Sequence, residues 1–201
     1  MDEPAAPCFS DSTRELIRFL PADGDAVRYR WAQLPGGAII AHRHPAQEEV
    51  FAIDAGEAVF TLDGREVAAR AGDVVTVPAG ALHAVRNPGA VPVTGHVTLR
   101  PALGARAFHE AMAGLAAEGL ASPTGVPRNP LRATAVFWGF RRDIRVPGVP
   151  GVVYPLVLAP LAGLARLVGI RAFEARWATA GVTAAPAVER LAAEVWGPEG
   201  A

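Results

Sequence analysis

Turn signals recur about every ten residues between positions 27 and 99, and this spacing limits the region to folds made of short strands. Glycine occurs in every signal, beside proline, alanine, aspartate or asparagine. The signals are Pro35-Gly36-Gly37, Ala55-Gly56, Asp63-Gly64, Ala71-Gly72-Asp73, Pro78-Ala79-Gly80 and Asn87-Pro88-Gly89. Many short strands at such spacing predict a sandwich or a barrel. Asp63-Gly64 is the clearest hairpin turn, because both residues tolerate positive φ.

After Pro101 the apolar residues recur at helical spacing instead. We therefore divide the chain into an N-terminal segment (1–26), a β-barrel (27–103) and a helical C-terminal extension (104–201), with no internal repeat. Three helices are predicted outside the uncharged run at 146–165: one through Phe108, Met112 and Leu115, one that begins at Asn129-Pro130, and one that begins at Pro186 and ends at Gly197.

Composition excludes several classes of protein. Hydrophobic residues make up 51% and charged residues 19% of the 201 residues, so the chain is not a disordered one. The net charge is −1, which argues against nucleic acid as a partner. Cys8 is the only cysteine, so no intramolecular disulfide or thiolate cluster can form. The acidic start lacks the apolar core of a secretory signal, and we expect a cytoplasmic protein.

Two histidines one residue apart stand on a predicted strand. Side chains at positions i and i+2 of a strand point to the same face, so His42 and His44 face one way and Arg43 the other. Two neighbouring imidazoles on one face are typical of a metal site.

Adjacent glutamates follow, and strand parity separates them. Glu49 shares a face with Phe51 and Ile53, so we expect Glu49 to be buried and Glu48 to be outside. A buried carboxylate needs a partner, and a metal ion is the natural one. His83 lies on a later predicted strand.

These residues resemble the two motifs of the cupin superfamily, in particular its compact single-domain bacterial members. Only 15 residues separate the two motifs. The first is matched by Gly36, His42, His44, Glu49 and Gly56, and the second by Gly72, Pro78, Gly80, His83 and Asn87. The resemblance implies a mainly β protein, with a double-stranded β-helix (jelly-roll) barrel followed by the α-helical extension. It also implies that one divalent metal is bound by His42, His44, Glu49 and His83.

Three imidazoles and one carboxylate suit Fe, Mn, Ni, Co, Cu or Zn, with open positions for water or substrate. The neighbours two positions from these ligands should line the pocket, and they are mainly apolar. A small hydrophobic or aromatic substrate fits such a wall better than a sugar phosphate does. The predicted lining residues are Ile40, Phe51, Ala81 and Val85.

Two further histidines have weaker patterns. His96 shares a strand face with Thr94 and Thr98, so it lies either inside the barrel as a substrate-binding group or on the outer, solvated face. His109 belongs to the helical extension, where we expect it at the surface.

An uncharged run covers positions 146 to 165 and is interrupted by prolines. Its longest predicted helix begins near Pro155 and ends before Gly169, which is too short to cross a membrane. Packing on the barrel or in a homodimer is the favoured interpretation, because a helix that is apolar all round needs burial on several sides. Contact of this helix with a membrane surface, with Arg141 and Arg142 beside it, is less favoured. A membrane-spanning helix is the least favoured interpretation.

Two functional hypotheses follow. The first is a metal-dependent oxygenase or dioxygenase acting on a small apolar molecule, or a Lewis-acid isomerase or lyase, in which Glu49 is the catalytic residue that tunes the metal or abstracts a proton. The second is a non-catalytic cupin that binds or senses a small ligand.

Overall fold

Two antiparallel sheets form the barrel in the computed structural model, which describes residues 6–21, 23–148, 150–151, 153–178 and 186–197. The strands are β1 (Cys8–Ser10), β2 (Glu15–Phe19), β3 (Val27–Gln33), β4 (Ala38–His42), β5 (Glu48–Ala55), β6 (Glu57–Leu62), β7 (Arg65–Arg70), β8 (Val74–Val77), β9 (His83–Arg86) and β10 (Val93–Arg100). One sheet has the order β1-β2-β3-β10-β5-β8 and the other β4-β9-β6-β7. This is the predicted mainly β cupin fold with a helical extension.

Alternation of buried and more exposed side chains along strands such as β5 and β10 builds the core between the sheets. On β3, Tyr29 and Trp31 are buried, whereas Arg28 and Arg30 face outward. Aromatic rings from the two sheets meet edge to face, as Phe51 of β5 does with Phe60 of β6 at 5.0 Å between ring centroids. The period-2 pattern therefore places one face of each strand in a shared apolar core.

The predicted hairpin at Asp63-Gly64 is confirmed. The two residues have φ of 46° and 85° and connect β6 to β7. Positive φ at both central positions matches the right-handed twist of the flanking strands.

The N-terminal segment extends the six-stranded sheet, because β1 pairs with β2 and β2 with β3. The outer face of β2 is covered by α4 (Pro186–Trp196), the predicted last helix. Leu16 of β2 packs there against Leu191 and Val195, and the Arg18 guanidinium lies 2.9 Å from the Glu189 carboxylate.

The other helices are α1 (Ala105–Ala117), α2 (Pro130–Gly139) and α3 (Val153–Leu167), with a 3₁₀ turn at Ala175–Trp177. The predicted start of α2 is confirmed: Pro130 is at its first turn, and the Asn129 side chain accepts a hydrogen bond from the Arg132 N–H at 3.1 Å. These helices pack around a second apolar core that includes Trp177 and Tyr154.

The apolar helix α3 is buried on one side only, which differs from the expected burial on several sides. Tyr154 and Ala165 are buried, whereas Leu156 and Leu167 are 74% and 86% exposed. None of the described helices has both the length and the hydropathy needed to cross a membrane. The homodimer, which would cover this face, stays a prediction.

Replacing Gly114 with alanine should destabilise the extension. Gly114 lies on α1 directly under the Trp177 ring, and an added methyl group would overlap that ring. Overpacking of this kind costs roughly 1–3 kcal/mol of unfolding free energy. Gly163→Ala in α3 is the matched control, because nothing lies within 4 Å of its added methyl group and alanine favours a helix. Denaturant unfolding measures both variants, and a Gly114→Ala protein as stable as the control would contradict this packing.

Candidate metal centre

The four predicted ligands come from neighbouring positions on both sheets. His42 ends β4 and His83 begins β9, and these two residues pair directly. Glu49 is the second residue of β5 in the opposite sheet, and His44 follows β4 in a loop. All four are buried, with at most 7% of any residue exposed. Glu48 is exposed, as strand parity predicts.

The metal-donor atoms of these four residues lie close together. The Glu49 Oε2 atom lies 3.0 Å from His83 Nε2 and 3.3 Å from His44 Nε2. His42 Nε2 lies 3.3 Å from His44 Nε2. One ligand atom from each of the four residues lies within 4.8 Å of the others.

Backbone carbonyl groups fix the orientation of the three histidine rings, on the side of each ring that faces away from the cluster. His42 Nδ1 lies 2.8 Å from the Ile40 oxygen, His83 Nδ1 lies 3.2 Å from the Ala81 oxygen, and His44 Nδ1 lies 2.6 Å from the Asp143 oxygen. A carbonyl oxygen only accepts, so each Nδ1 donates its proton there. Each Nε2 atom is therefore left as a lone pair that faces the centre.

Burial and neighbouring charge set the protonation of the cluster. Burial, reinforced by His83 and His44, lowers the pKa of His42 to about 3, so this ring is neutral at pH 7. Burial opposes ionisation of Glu49, but His44 and His83 outweigh it and hold the pKa of this carboxyl well below its usual range. Burial likewise opposes protonation of His44, yet Glu49 outweighs it and raises the pKa of that ring.

This donor set fits a divalent metal. His83 Nε2 and Glu49 Oε2 are buried 3.0 Å apart, and a neutral His83 ring that donates its Nδ1 proton to the Ala81 oxygen has no Nε2 proton for Glu49. Facing lone pairs repel unless a cation lies between them. Ligand atoms at about 2.1 Å from one metal are separated from each other by about 3.0–3.4 Å. The His83–Glu49, His44–Glu49 and His42–His44 separations of 3.0, 3.3 and 3.3 Å lie in this range. His42, His44, Glu49 and His83 can therefore hold one metal ion, whose identity is unknown.

A mainly apolar cavity of about 90 Å³ adjoins the cluster. Among the residues predicted to line it, Ile40, Phe51 and Val85 do so. The helical extension completes the wall with side chains from α1, from the loop before α2, from α2 and from the segment after it; they are Phe108, His109, Met112, Ala113, Thr124, Val126, Phe137, Ile144 and Val146. The extension is thus a wall of the pocket.

Two predicted lining residues lie elsewhere. His96 points to the outer face of the barrel, where its Nδ1 lies 2.9 Å from the Asp54 carboxylate and 44% of its side chain is exposed. The Thr94–Thr98 face of β10 is therefore the outer one, and placing His96 in the pocket is wrong. Ala81 packs against the apolar core instead of lining the cavity, although its carbonyl oxygen orients His83.

Among the cavity residues that the sequence did not place there, His109 and Ile39 lie beside predicted ones or depart from their expected position. His109, expected at the surface, faces the cavity from α1 with its ring 5.0 Å from that of Tyr29. Ile39 lines it beside Ile40, because β4 is irregular between Ile39 and His42 and so departs from strict alternation. Neither position carries a local sequence signal that separates it from its neighbours.

The extension also positions a metal ligand. Asp143, whose carbonyl oxygen orients His44, lies just beyond α2. Its carboxylate accepts a hydrogen bond from the Gly104 N–H at 2.6 Å. Reciprocal backbone hydrogen bonds between Arg43 and Arg145, at 3.0 and 2.9 Å, hold the two segments together. His44 therefore depends on a contact outside the barrel.

Comparison with known proteins agrees with the resemblance of the barrel to cupins. Residues 29–98 match the family described as Cupin domain, so this part of the chain is a cupin domain. The "Oxalate-binding protein" of Thermotoga maritima is 36% identical over 55 residues, which are 27% of this chain and 46% of that protein. The match thus spans less than half the length of that relative.

Solved structures resemble the barrel as well. A predicted oxalate decarboxylase from Thermotoga maritima is 23% identical, with a TM-score of 0.42, and the match covers 47% of this chain and 91% of that one. An RmlC-like cupin from Shewanella frigidimarina is 19% identical, with a TM-score of 0.44 and coverages of 49% and 86%. The family match ends at residue 98, before α1 begins.

Glu49→Gln should lose metal, whereas Glu48→Gln should retain it. The first change removes the charged donor from the buried cluster, and the second alters an exposed side chain on the same strand. We expect metal affinity to fall at least tenfold in Glu49→Gln, on the order of what a lost ligand or ligand partner costs. Metal analysis after dialysis against a chelator measures both, and equal metal content in the two variants would contradict the assignment.

His109→Gln should reduce the loss of stability in acid. Burial lowers the pKa of His109 from 6.5 to about 4, so its contribution to folding is present above pH 6.5 and is lost as the pH falls toward 4. The contribution is at most about 3 kcal/mol. Unfolding free energies at pH 7 and pH 4 measure it, with the exposed His96→Gln as control. If the wild type and His109→Gln lose the same unfolding free energy between pH 7 and pH 4, the His109 ring is in solvent and the prediction is wrong.

Proposed function

We propose that this protein is a metal-dependent enzyme of the cupin type, an oxygenase or dioxygenase that acts on a small, largely apolar organic molecule. A Lewis-acid isomerase or lyase at the same centre is the close variant. The observation that carries the proposal is that three histidines oriented by carbonyl groups and the Glu49 carboxylate lie beside a mainly apolar cavity.

The walls support an apolar substrate. No arginine lines the cavity among the described residues, and the chain has no lysine. A sugar phosphate or a multiply charged acid would therefore lack a cationic partner apart from the metal. Phe51, Val85 and Ile40 offer apolar contact beside the cluster instead.

The bound metal supplies Lewis-acid polarisation of a substrate oxygen and, where it is redox-active, electron transfer. Glu49 remains a carboxylate at neutral pH, so its Oε2 atom can bind the metal and tune its charge. His42, His44 and His83 keep their Nδ1 protons on carbonyl oxygens, so they orient the centre and do not exchange protons with the substrate. Neutral His109 offers one donor and one acceptor nitrogen from the cavity wall.

A non-catalytic ligand-binding protein is the second candidate. A relative whose printed name is "Oxalate-binding protein" favours it, since that name describes binding alone. The same cluster and cavity would then hold a metal and a small ligand without turnover.

The experiment that separates the two is metal analysis followed by oxygen uptake. The full-length protein is purified without added metal, and uptake is measured with a panel of phenols, diketones and thiols. We expect stoichiometric Fe, Mn, Ni or Cu and substrate-dependent uptake. Glu49→Gln should abolish the uptake, and Glu48→Gln should preserve it.

Zinc or no metal, together with no turnover of any compound in the panel, would reject the oxygenase and favour the binding protein. Turnover that persists unchanged in Glu49→Gln would instead reject the proposed role of Glu49. A matched assay for proton exchange at carbon, without oxygen, identifies the isomerase or lyase variant.

A further inference from the structure

The cavity contains a second carboxyl group, Glu15, which belongs to neither the metal cluster nor the cupin motifs. Glu15 lies on β2, with Ile17 and Phe19 on the same inward face. Glu15 pairs with Gln33, the last residue of β3. Val27, the first residue of β3, is level with Glu49 across the sheet, because Val27 and Glu49 both pair with Leu99 of β10. Glu15 therefore lies toward the other end of the sheet from the cluster.

Glu15 has few partners for a partly buried acid. The Trp31 Nε1–H donates to its Oε1 atom at 3.2 Å. Among the described residues no arginine or histidine pairs with it. Arg18, on the opposite face of the same strand, has its own partner in Glu189. Burial, with the charge of Glu49 as a smaller cause, raises the pKa of Glu15 to about 7.

Folding does not account for such a group. A carboxyl group taken out of water without a cation lowers stability, and the Trp31 N–H could be satisfied by a neutral acceptor at lower cost. An ionisable side chain held in an apolar cavity at the expense of stability is typical of a ligand-binding or catalytic group.

Hydroxyl groups adjoin Glu15 on the same cavity wall. Ser10, the strand partner of Glu15, and Thr13 both line the cavity. The Thr13 Oγ1 atom is buried without a hydrogen-bond partner among the described residues. Ser10 Oγ accepts from the Thr13 N–H at 3.4 Å. The groups left open at this end of the cavity are therefore the Thr13 hydroxyl and the second Glu15 oxygen, between apolar walls that include Ile17, Ile39 and Met112.

We propose that Glu15 and Thr13 form a second polar subsite that binds a hydrogen-bond-donating group of the ligand, a primary amine or a hydroxyl. Because it rests on the proposed function, the other end of the ligand is an oxygen group that binds the metal. The rest of the cavity lining is mainly apolar. The ligand is therefore a small bifunctional molecule with an apolar middle.

Three probes of equal size test the subsite: 4-aminobutyrate, 4-hydroxybutyrate and pentanoate. Each has a carboxylate for the metal, and they differ only at the far end, which is an amine, a hydroxyl or a methyl group. Their affinities for the full-length, metal-loaded protein are measured by titration calorimetry. We expect the amino or the hydroxy probe to bind about tenfold more tightly than pentanoate, as one hydrogen bond to a charged group provides.

Variants of Glu15 identify the donor. A preference for the amine that is lost in both Glu15→Gln and Glu15→Leu assigns an ammonium group. A preference for the hydroxyl that survives in Glu15→Gln and is lost in Glu15→Leu assigns an alcohol. Thr13→Val, which leaves the carboxyl in place, should weaken either preference, and Glu48→Gln is the control outside the cavity. Melting temperature and metal content are measured on each variant, so that misfolding is not read as lost selectivity.

Equal affinity for the three probes, no measurable binding of any of them to the wild type, or a preference unchanged in Glu15→Leu would overturn the proposal. The proposed function fails separately, through absent metal or absent turnover. Titration of the metal-free protein with butylamine and 1-butanol tests the subsite without the metal anchor. Glu15-dependent binding of either compound sustains the subsite even if the protein is not an enzyme.

Discussion

Three hydrogen bonds from histidine Nδ1 to backbone carbonyl oxygens are the constraint on which the rest of the site depends. Each bond chooses the tautomer of its ring and directs an unprotonated Nε2 toward the centre. Two of the acceptors, at Ile40 and Ala81, stand two residues before the histidines that they orient, so the strand itself supplies them. The third, at Asp143, comes from the helical extension.

The buried carboxylate of Glu49 completes this arrangement by electrostatics. Its oxygen lies 3.0 and 3.3 Å from the Nε2 atoms of His83 and His44, in a region that excludes water. In low dielectric, a negative charge beside bare nitrogen lone pairs is strongly stabilised by a cation. One carboxylate around a divalent ion leaves the centre net positive, which suits an anionic oxygen of a ligand.

Much of the fold follows from sequence because turn residues and strand parity act locally. Parity separates Glu49 from Glu48, and positive φ marks Asp63-Gly64. Parity fails where a strand is irregular, as at Ile39. On β10 parity groups His96 with Thr94 and Thr98, and this polar face is the outer one.

Strand parity and turn residues do not predict how the extension packs, because its contacts are long-range. The face that α1 turns to the barrel depends on how the connecting segment packs, so no local pattern distinguishes His109 from a surface histidine. Glu15 lies in the segment before the predicted barrel, and only the pairing of β2 with β3 brings it to the cavity.

The hydrogen bond between His44 and Asp143 joins residues that are 99 positions apart. During synthesis the barrel strands and two of the three carbonyl–histidine hydrogen bonds can form before the C-terminal helices have been made. The third forms only after the chain has been made past Arg145 and has closed this long loop, which is a slow, non-local step. The complete set of oriented candidate metal ligands therefore cannot form on a nascent barrel and requires the extension.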